Sequence, residues 1–232
     1  MANKKQVARA AAAAEQKAAQ AKIDKRNKII GIIAVLLVAG AGLLFVLGGG
    51  KETSQPSGPI SVNPTHTVQI DVQDYGTITA ELYGEAAPIT VANFVKLVNE
   101  GFYDGLTFHR IISGFMIQGG DPLGNGTGGA DTKIKGEFSA NGWANPIAHE
   151  RGVLSMARSG ASYDSASSQF FIMHQAAPHL DGSYAAFGRV LTGMDIVDAI
   201  CANTPVTDRN GTVLKANQPI ITSIRVIEGA GE

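Results

Sequence analysis

Arg110 is the residue from which chemistry can first be argued. It lies in an otherwise apolar stretch, Phe108-His-Arg-Ile-Ile-Ser-Gly-Phe-Met-Ile-Gln-Gly-Gly120 followed by Asp121. A guanidinium among Phe and Ile side chains costs free energy unless its planar fork of donors reaches a partner, and that fork suits an amide or a carboxylate shielded from water. The plainer alternative is a strand whose Arg110 points into solvent. A second block, Ser168-Gln-Phe-Phe-Ile172, again sets a polar amide among large apolar residues.

Rival chemistries find little support. Gly124-Asn-Gly-Thr-Gly-Gly129 satisfies G-x-G-x-x-G, but no amphipathic helix follows to offer its N-terminus to a pyrophosphate. The five histidines, His66, His109, His149, His174 and His179, form no H-E-x-x-H or closely spaced His/Cys set, so no metal site is expected. A G-x-S-x-G elbow for a nucleophilic serine is missing too. No cofactor is expected, and no nucleic-acid motif is present.

The elements that must position Arg110 read as mostly strands. Val68, Ile70 and Val72 alternate with polar residues, Asp74 to Thr77 supplies turn residues, and Ile78, Ala80 and Leu82 alternate again, which predicts a hairpin. The period then changes: Val91, Phe94, Val95 and Val98 fall at helical spacing, with Thr90 placed to cap the start and Gly101 the end. Short apolar runs between Gly-rich turns follow, then a second helix around Met194–Ile200 and an alternating strand over Ile220–Ile227. Many short strands with two helices argue for a closed antiparallel barrel.

The first part of the chain belongs to another environment. Residues 1–28 hold eight Lys/Arg against Glu15 and Asp24, and because the whole chain carries −1, residues 29–232 carry −7. Ile29 to Leu47 are uncharged and apolar, a helix of roughly 28 Å that matches the ~30 Å hydrocarbon core of a bilayer. With the Lys/Arg excess ahead of it, the positive-inside tendency puts the N-terminus in the cytoplasm and the rest outside. A cleaved secretion signal is the rival, in which case the domain is released. The polar, Pro/Gly/Ser-rich stretch that follows reads as a linker. The expected organisation is a basic segment 1–28, a transmembrane signal anchor 29–47, a flexible linker 48–64 and a globular domain 65–232. Cys201, the single cysteine, has no intramolecular partner.

The Arg110 run and the Ser168–Ile172 block resemble the signatures of the cyclophilin family of peptidyl-prolyl cis-trans isomerases, over roughly residues 65 to 228. The resemblance implies a mainly β fold, an eight-stranded antiparallel barrel capped by two helices. It also implies acceleration of X–Pro rotation, here in extracytoplasmic clients. That rotation faces a barrier near 20 kcal/mol because the nitrogen lone pair is delocalised into the carbonyl. Twisting localises the lone pair on the proline nitrogen, and a guanidinium donor placed there favours the twisted state over either planar one. A 10⁵-fold acceleration needs roughly 7 kcal/mol.

By resemblance Arg110, Gln118 and Phe115 carry catalysis. Met116, Phe171 and Leu180 complete the apolar wall around the proline ring, Gln169 and Ala157 meet the peptide, and His109, Asn125 and Gly126 lie on the rim. Phe108 and Phe170 read as core. Three positions depart from the best-known pattern: His179 stands where many eukaryotic members carry Trp, Tyr184 replaces a rim His, and Arg158 replaces an Asn; the last two resemble bacterial members. The Trp position contacts cyclosporin in that family, so weak cyclosporin binding is expected beside retained turnover. Proline-containing polypeptides are the expected partners, with the membrane reached through the N-terminal helix. The competing readings are a chaperone module that binds proline segments without turnover and an adhesive surface module.

Overall fold

The computed structural model describes residues 62–227. The expected anchor 29–47, the basic segment 1–28 and most of the linker lie outside the described residues; among those described, no helix is long and apolar enough to cross a membrane.

The first hairpin is built as the alternation predicts. Strands β1 (His66–Val72) and β2 (Gly76–Leu82) pair antiparallel with Ile70 opposite Ile78, and Val68, Ile70, Ile78, Ala80 and Leu82 are fully buried. Asp74 and Gly76 take positive φ values of 64° and 123° to turn the chain. β1 pairs on its other side with the last strand, so Thr67 faces Ile227.

The helix α1 runs over Pro88–Asn99 and departs from expectation at its start. Thr90 does not cap it: the helix begins earlier, at Pro88, whose missing N–H suits the first turn, and Ala87 at the cap position offers no side-chain acceptor. The buried carboxylate of Glu137 takes over, accepting the backbone N–H of Ile89 (2.9 Å) and of Thr90 (2.8 Å). A negative charge there answers both the orphan donors and the helix dipole. The other end is as expected: Gly101 at φ 67° lets its own N–H reach Val98 O and that of Phe102 reach Leu97 O, a Schellman closure.

The remaining strands are β3 (Phe108–Ile112), β4 (Met116–Gly119), β5 (Val153–Met156), β6 (Phe170–Met173), β7 (Ala186–Thr192) and β8 (Ile221–Ile227), with α2 (Met194–Asn203) after β7. They form one eight-stranded sheet in the order β3-β4-β6-β5-β7-β2-β1-β8. The closed barrel expected from the sequence is corrected here. The end strands β3 and β8 share no ladder, and the seam is held by the bridge Thr107↔Ile220 with a few backbone bonds, among them Phe108 N–H to Pro219 O at 3.0 Å. Pro219 has no N–H to return, which limits pairing along this edge.

The curled sheet has two apolar faces, and their division decides the function. Inside, Phe94 of α1 packs its ring 5.1 Å from those of Tyr103 and Phe187 and 5.5 Å from Phe170, with Phe108, Ile117, Ile172 and the α2 residues Val197 and Ile200 in the same core. Outside, Met116, Phe171, Met173, Val153, Leu180 and Ala186 form a second cluster, with Phe115 and Tyr184 against it. This explains why β6 reads Phe-Phe-Ile-Met with no polar alternation: Phe170 and Ile172 face inward, Phe171 and Met173 outward, and both faces are covered.

Candidate active site

Register places the key side chains in one row across the outer face. Arg110 lies opposite Gln118, Gln118 opposite Phe171, and Phe171 opposite Ser155. Directly opposed residues on adjacent strands project to the same side, so a row of polar and aromatic groups results from the pairing alone.

A cup of about 220 Å³ opens on this face, lined by Arg110, Phe115, Met116, Gln118, Ala157, Arg158, Phe171, Leu180 and Tyr184. All nine are residues the sequence points to. His179 stands at the lip, its ring stacked on Phe115 with centroids 5.7 Å apart. Gln169 is one step away, in a neighbouring cavity, and His109, Asn125 and Gly126 line a separate groove on the far side of Arg110. The structure therefore divides the expected site into a cup and two flanking spaces.

Arg110 is held by neutral groups only. Its Nε donates to Asn210 O at 2.8 Å, Nη2 to Asn210 Oδ1 at 3.2 Å and Nη1 to Gln118 Oε1 at 3.2 Å. No carboxylate lies within ion-pair distance of it among the described residues. Burial lowers its pKa, with Tyr184 and Asp208 acting the other way, but a guanidinium stays charged throughout the accessible range. The result is a fixed, uncompensated cation at the wall of an apolar cup.

The amides that orient it form a chain. Gln118 Nε2 donates to Gln169 Oε1 (2.9 Å), and Gln169 Nε2 donates to the carbonyl of Gly128 (2.7 Å). The 121–128 loop is itself wound on Asp121, whose buried carboxylate accepts the N–H groups of Leu123, Asn125 and Gly126. Desolvation raises the Asp121 pKa, and the backbone donors outweigh it, so the group stays lowered and charged. Asn210, Gly128 and Asp121 were missed by sequence reasoning. Asn210-Gly211 carries only a turn signal, and nothing local ties it to a residue 100 positions earlier.

Behind the cup, Asp181, His149 and Ser155 are linked in a row that could be mistaken for a hydrolytic triad. His149 Nδ1 is 2.8 Å from Asp181 Oδ1 and Nε2 is 3.0 Å from Ser155 Oγ. Ser155 is fully buried, so no substrate reaches its hydroxyl. The row braces the cup instead: the His149 ring stacks on Phe171 at 6.1 Å, and Asp181 also accepts the His149 N–H at 2.7 Å, fastening the turn that carries Leu180.

Two buried histidines set an acid limit. Desolvation lowers His149 against the opposing pull of Asp181, and it lowers His109, with Asp121 opposing and Arg110 reinforcing. Neither ring nitrogen of His109 has a hydrogen-bond partner among the described residues. Each histidine thus takes up a proton more readily in the unfolded chain than in the fold. Their contribution to stability is complete above the ordinary value of 6.5 and drains as pH falls through the lower folded values. Thermal melts from about pH 8 to about pH 5 are expected to show a level Tm that then declines below roughly 6.5, and an unchanged Tm across that window would refute this account.

Among the described residues, no group of three His, Cys, Asp or Glu is placed to hold a metal ion. Comparison with known proteins agrees with the geometry. Residues 67–226 match the family model for cyclophilin type peptidyl-prolyl cis-trans isomerase/CLD. The chain is 55% identical over 124 residues to peptidyl-prolyl cis-trans isomerase B of Bacillus subtilis (strain 168), covering 53% of this chain and 82% of that one. It is 53% identical over 114 residues to a peptidyl-prolyl cis-trans isomerase of Synechococcus elongatus, covering 49% and 73% respectively. A crystal structure of a Cryptosporidium parvum cyclophilin-type isomerase, determined in the presence of the dipeptide Ala-Pro, superposes with a TM-score of 0.62 at 31% identity, covering 70% of this chain and 99% of that one.

Proposed function

Because this chain belongs to the cyclophilin-type peptidyl-prolyl cis-trans isomerases and is an isomerase of X–Pro bonds, we propose that Arg110 drives the rotation, with the cup holding the proline ring. The observation that carries this reading is the uncompensated Arg110 guanidinium beside Phe115, Met116, Phe171 and Leu180. Mere retention of a proline ring needs only the apolar wall; a desolvated cation costs stability there and is repaid only where negative charge or a lone pair develops. Gln118 holds Nη1 and Asn210 holds Nε and Nη2, so the fork cannot swing to follow a planar substrate and is fixed for the twisted one.

We infer a clientele of proline-containing polypeptides outside the cytoplasm. Support for the location comes from the apolar run 29–47 behind a basic segment, and protease treatment of intact cells that spared the domain would count against it. Magnetisation-exchange NMR on an Ala-Pro peptide tests the chemistry: catalysis gives exchange between cis and trans signals, whereas a non-catalytic binding module gives ligand broadening without it. Cyclosporin added to the same sample is expected to inhibit weakly, because the imidazole of His179 against Phe115 offers less surface than an indole; inhibition at about nanomolar concentration would contradict that.

A further inference from the structure

The cavity beside the cup is lined by charge that nothing above uses. It encloses about 350 Å³ and shares Gln118, Ala157 and Arg158 with the cup, so the two spaces adjoin. Thr127, Lys133, Ser159, Ser165 and Ser167 supply most of the remaining wall, and no carboxylate lines it. Two cations and four hydroxyls therefore face one space, on a chain that carries −7 beyond its first 28 residues.

Both cations are placed without being neutralised. The Arg158 guanidinium lies 4.7 Å from the ring centre of Tyr184, 5.0 Å from Tyr163 and 5.4 Å from Phe138. Its Nε donates to Ser183 O at 2.9 Å and its Nη1 to Ser159 O at 3.0 Å, leaving Nη2 without a hydrogen-bond partner among the described residues. Aromatic faces and carbonyls fix the side chain while leaving its charge in place. Lys133 Nζ donates to Ser167 Oγ at 3.3 Å, and among the described residues neither cation has a carboxylate within ion-pair distance.

We propose that this cavity selects an anionic side chain, carboxylate or phosphate, carried by the client within about two residues of the proline, and that Lys133 and Arg158 determine that specificity. The inference rests on the cup being the proline site. Hydroxyls beside two cations match the several acceptor oxygens of such groups, and a basic side chain there would meet both cations with like charge.

The test is a peptide series around one Ala-Pro bond, with Ala, Glu, phosphoserine or Lys at each of the two positions on either side, measured by exchange NMR. At one position Glu and phosphoserine are expected to raise kcat/KM about three- to tenfold over Ala and Lys to lower it, with the spread shrinking in about 1 M salt. Lys133→Glu, on an exposed side chain, is expected to reverse the order of Glu and Lys. Equal rates for all charges in the wild-type protein, or an unchanged order in Lys133→Glu, would overturn the proposal. The neutral Ala peptide separates the two readings: its turnover without any charge preference sinks the cavity inference alone, and its failure to turn over sinks the cup as well.

Discussion

Replacing Arg110 by Ala is expected to lower kcat/KM for an Ala-Pro peptide by about 10²–10³-fold, the range found when one preorganised donor is removed from a site where charge develops. The loss falls on kcat and leaves KM nearly unchanged, because the proline wall of Phe115, Met116, Phe171 and Leu180 is intact and the missing bond forms only in the twisted state. Arg110→Lys is expected to recover only a minor part. A single ammonium cannot donate to Asn210 O, Asn210 Oδ1 and Gln118 Oε1 and still present an N–H to the substrate from a fixed direction. Exchange NMR under saturating peptide reads the effect directly. A value within about threefold of wild type, less than 1 kcal/mol in the barrier, would remove Arg110 from the mechanism.

The largest effect on stability is expected at a residue remote from the cup. Glu137→Ala should cost about 3 kcal/mol, seen as a Tm lower by roughly 6–12 °C in a circular-dichroism melt. Glu137 is fully buried and supplies both acceptors at the start of α1, where Pro88 and Ala87 provide none. Its removal strands two N–H groups, withdraws a charge that the helix dipole favours and opens a void in a closed interior. Glu137→Gln keeps the shape and one carbonyl acceptor but turns an amide N–H toward a backbone donor, so an intermediate loss is expected. Below its melting range the Ala variant should still turn over peptide, since Glu137 does not line the cup. A Tm within about 2 °C of wild type would show that solvent caps the helix just as well.

These two residues also mark how far the sequence could be read. Arg110 was conspicuous because a cation in an apolar run breaks a local pattern. Its cup was legible through Phe115, Gln118, Phe171 and Leu180, which stand in short blocks that survive as blocks in the fold. The β1–β2 hairpin was legible for a related reason: it has one wet face, so period-two alternation is visible in Val68, Ile70 and Val72. β6 lacked that signal because both its faces are dry, and periodicity cannot tell Phe170 in the core from Phe171 in the cup. What stayed hidden depended on long-range partners. Thr90 has the right chemistry for a cap and the wrong address, because the helix starts at Pro88 and a carboxylate 47 residues on reaches it first. Asn210, the main restraint on Arg110, is 100 residues from it. The seam between β3 and β8 follows from Pro219 lacking an N–H, a detail that fold-level resemblance smooths over.

The pairing of Thr67 with Ile227 has an engineering corollary. A polypeptide that enters the fold at β1 leaves it at β8 about one strand spacing, roughly 5 Å, away. Such a module can be spliced into a surface loop of an unrelated host, or re-cut with new termini at an exposed turn, without stretching either protein. Pulled by those two ends, it would open like a zipper, one β1–β8 hydrogen-bonded rung at a time.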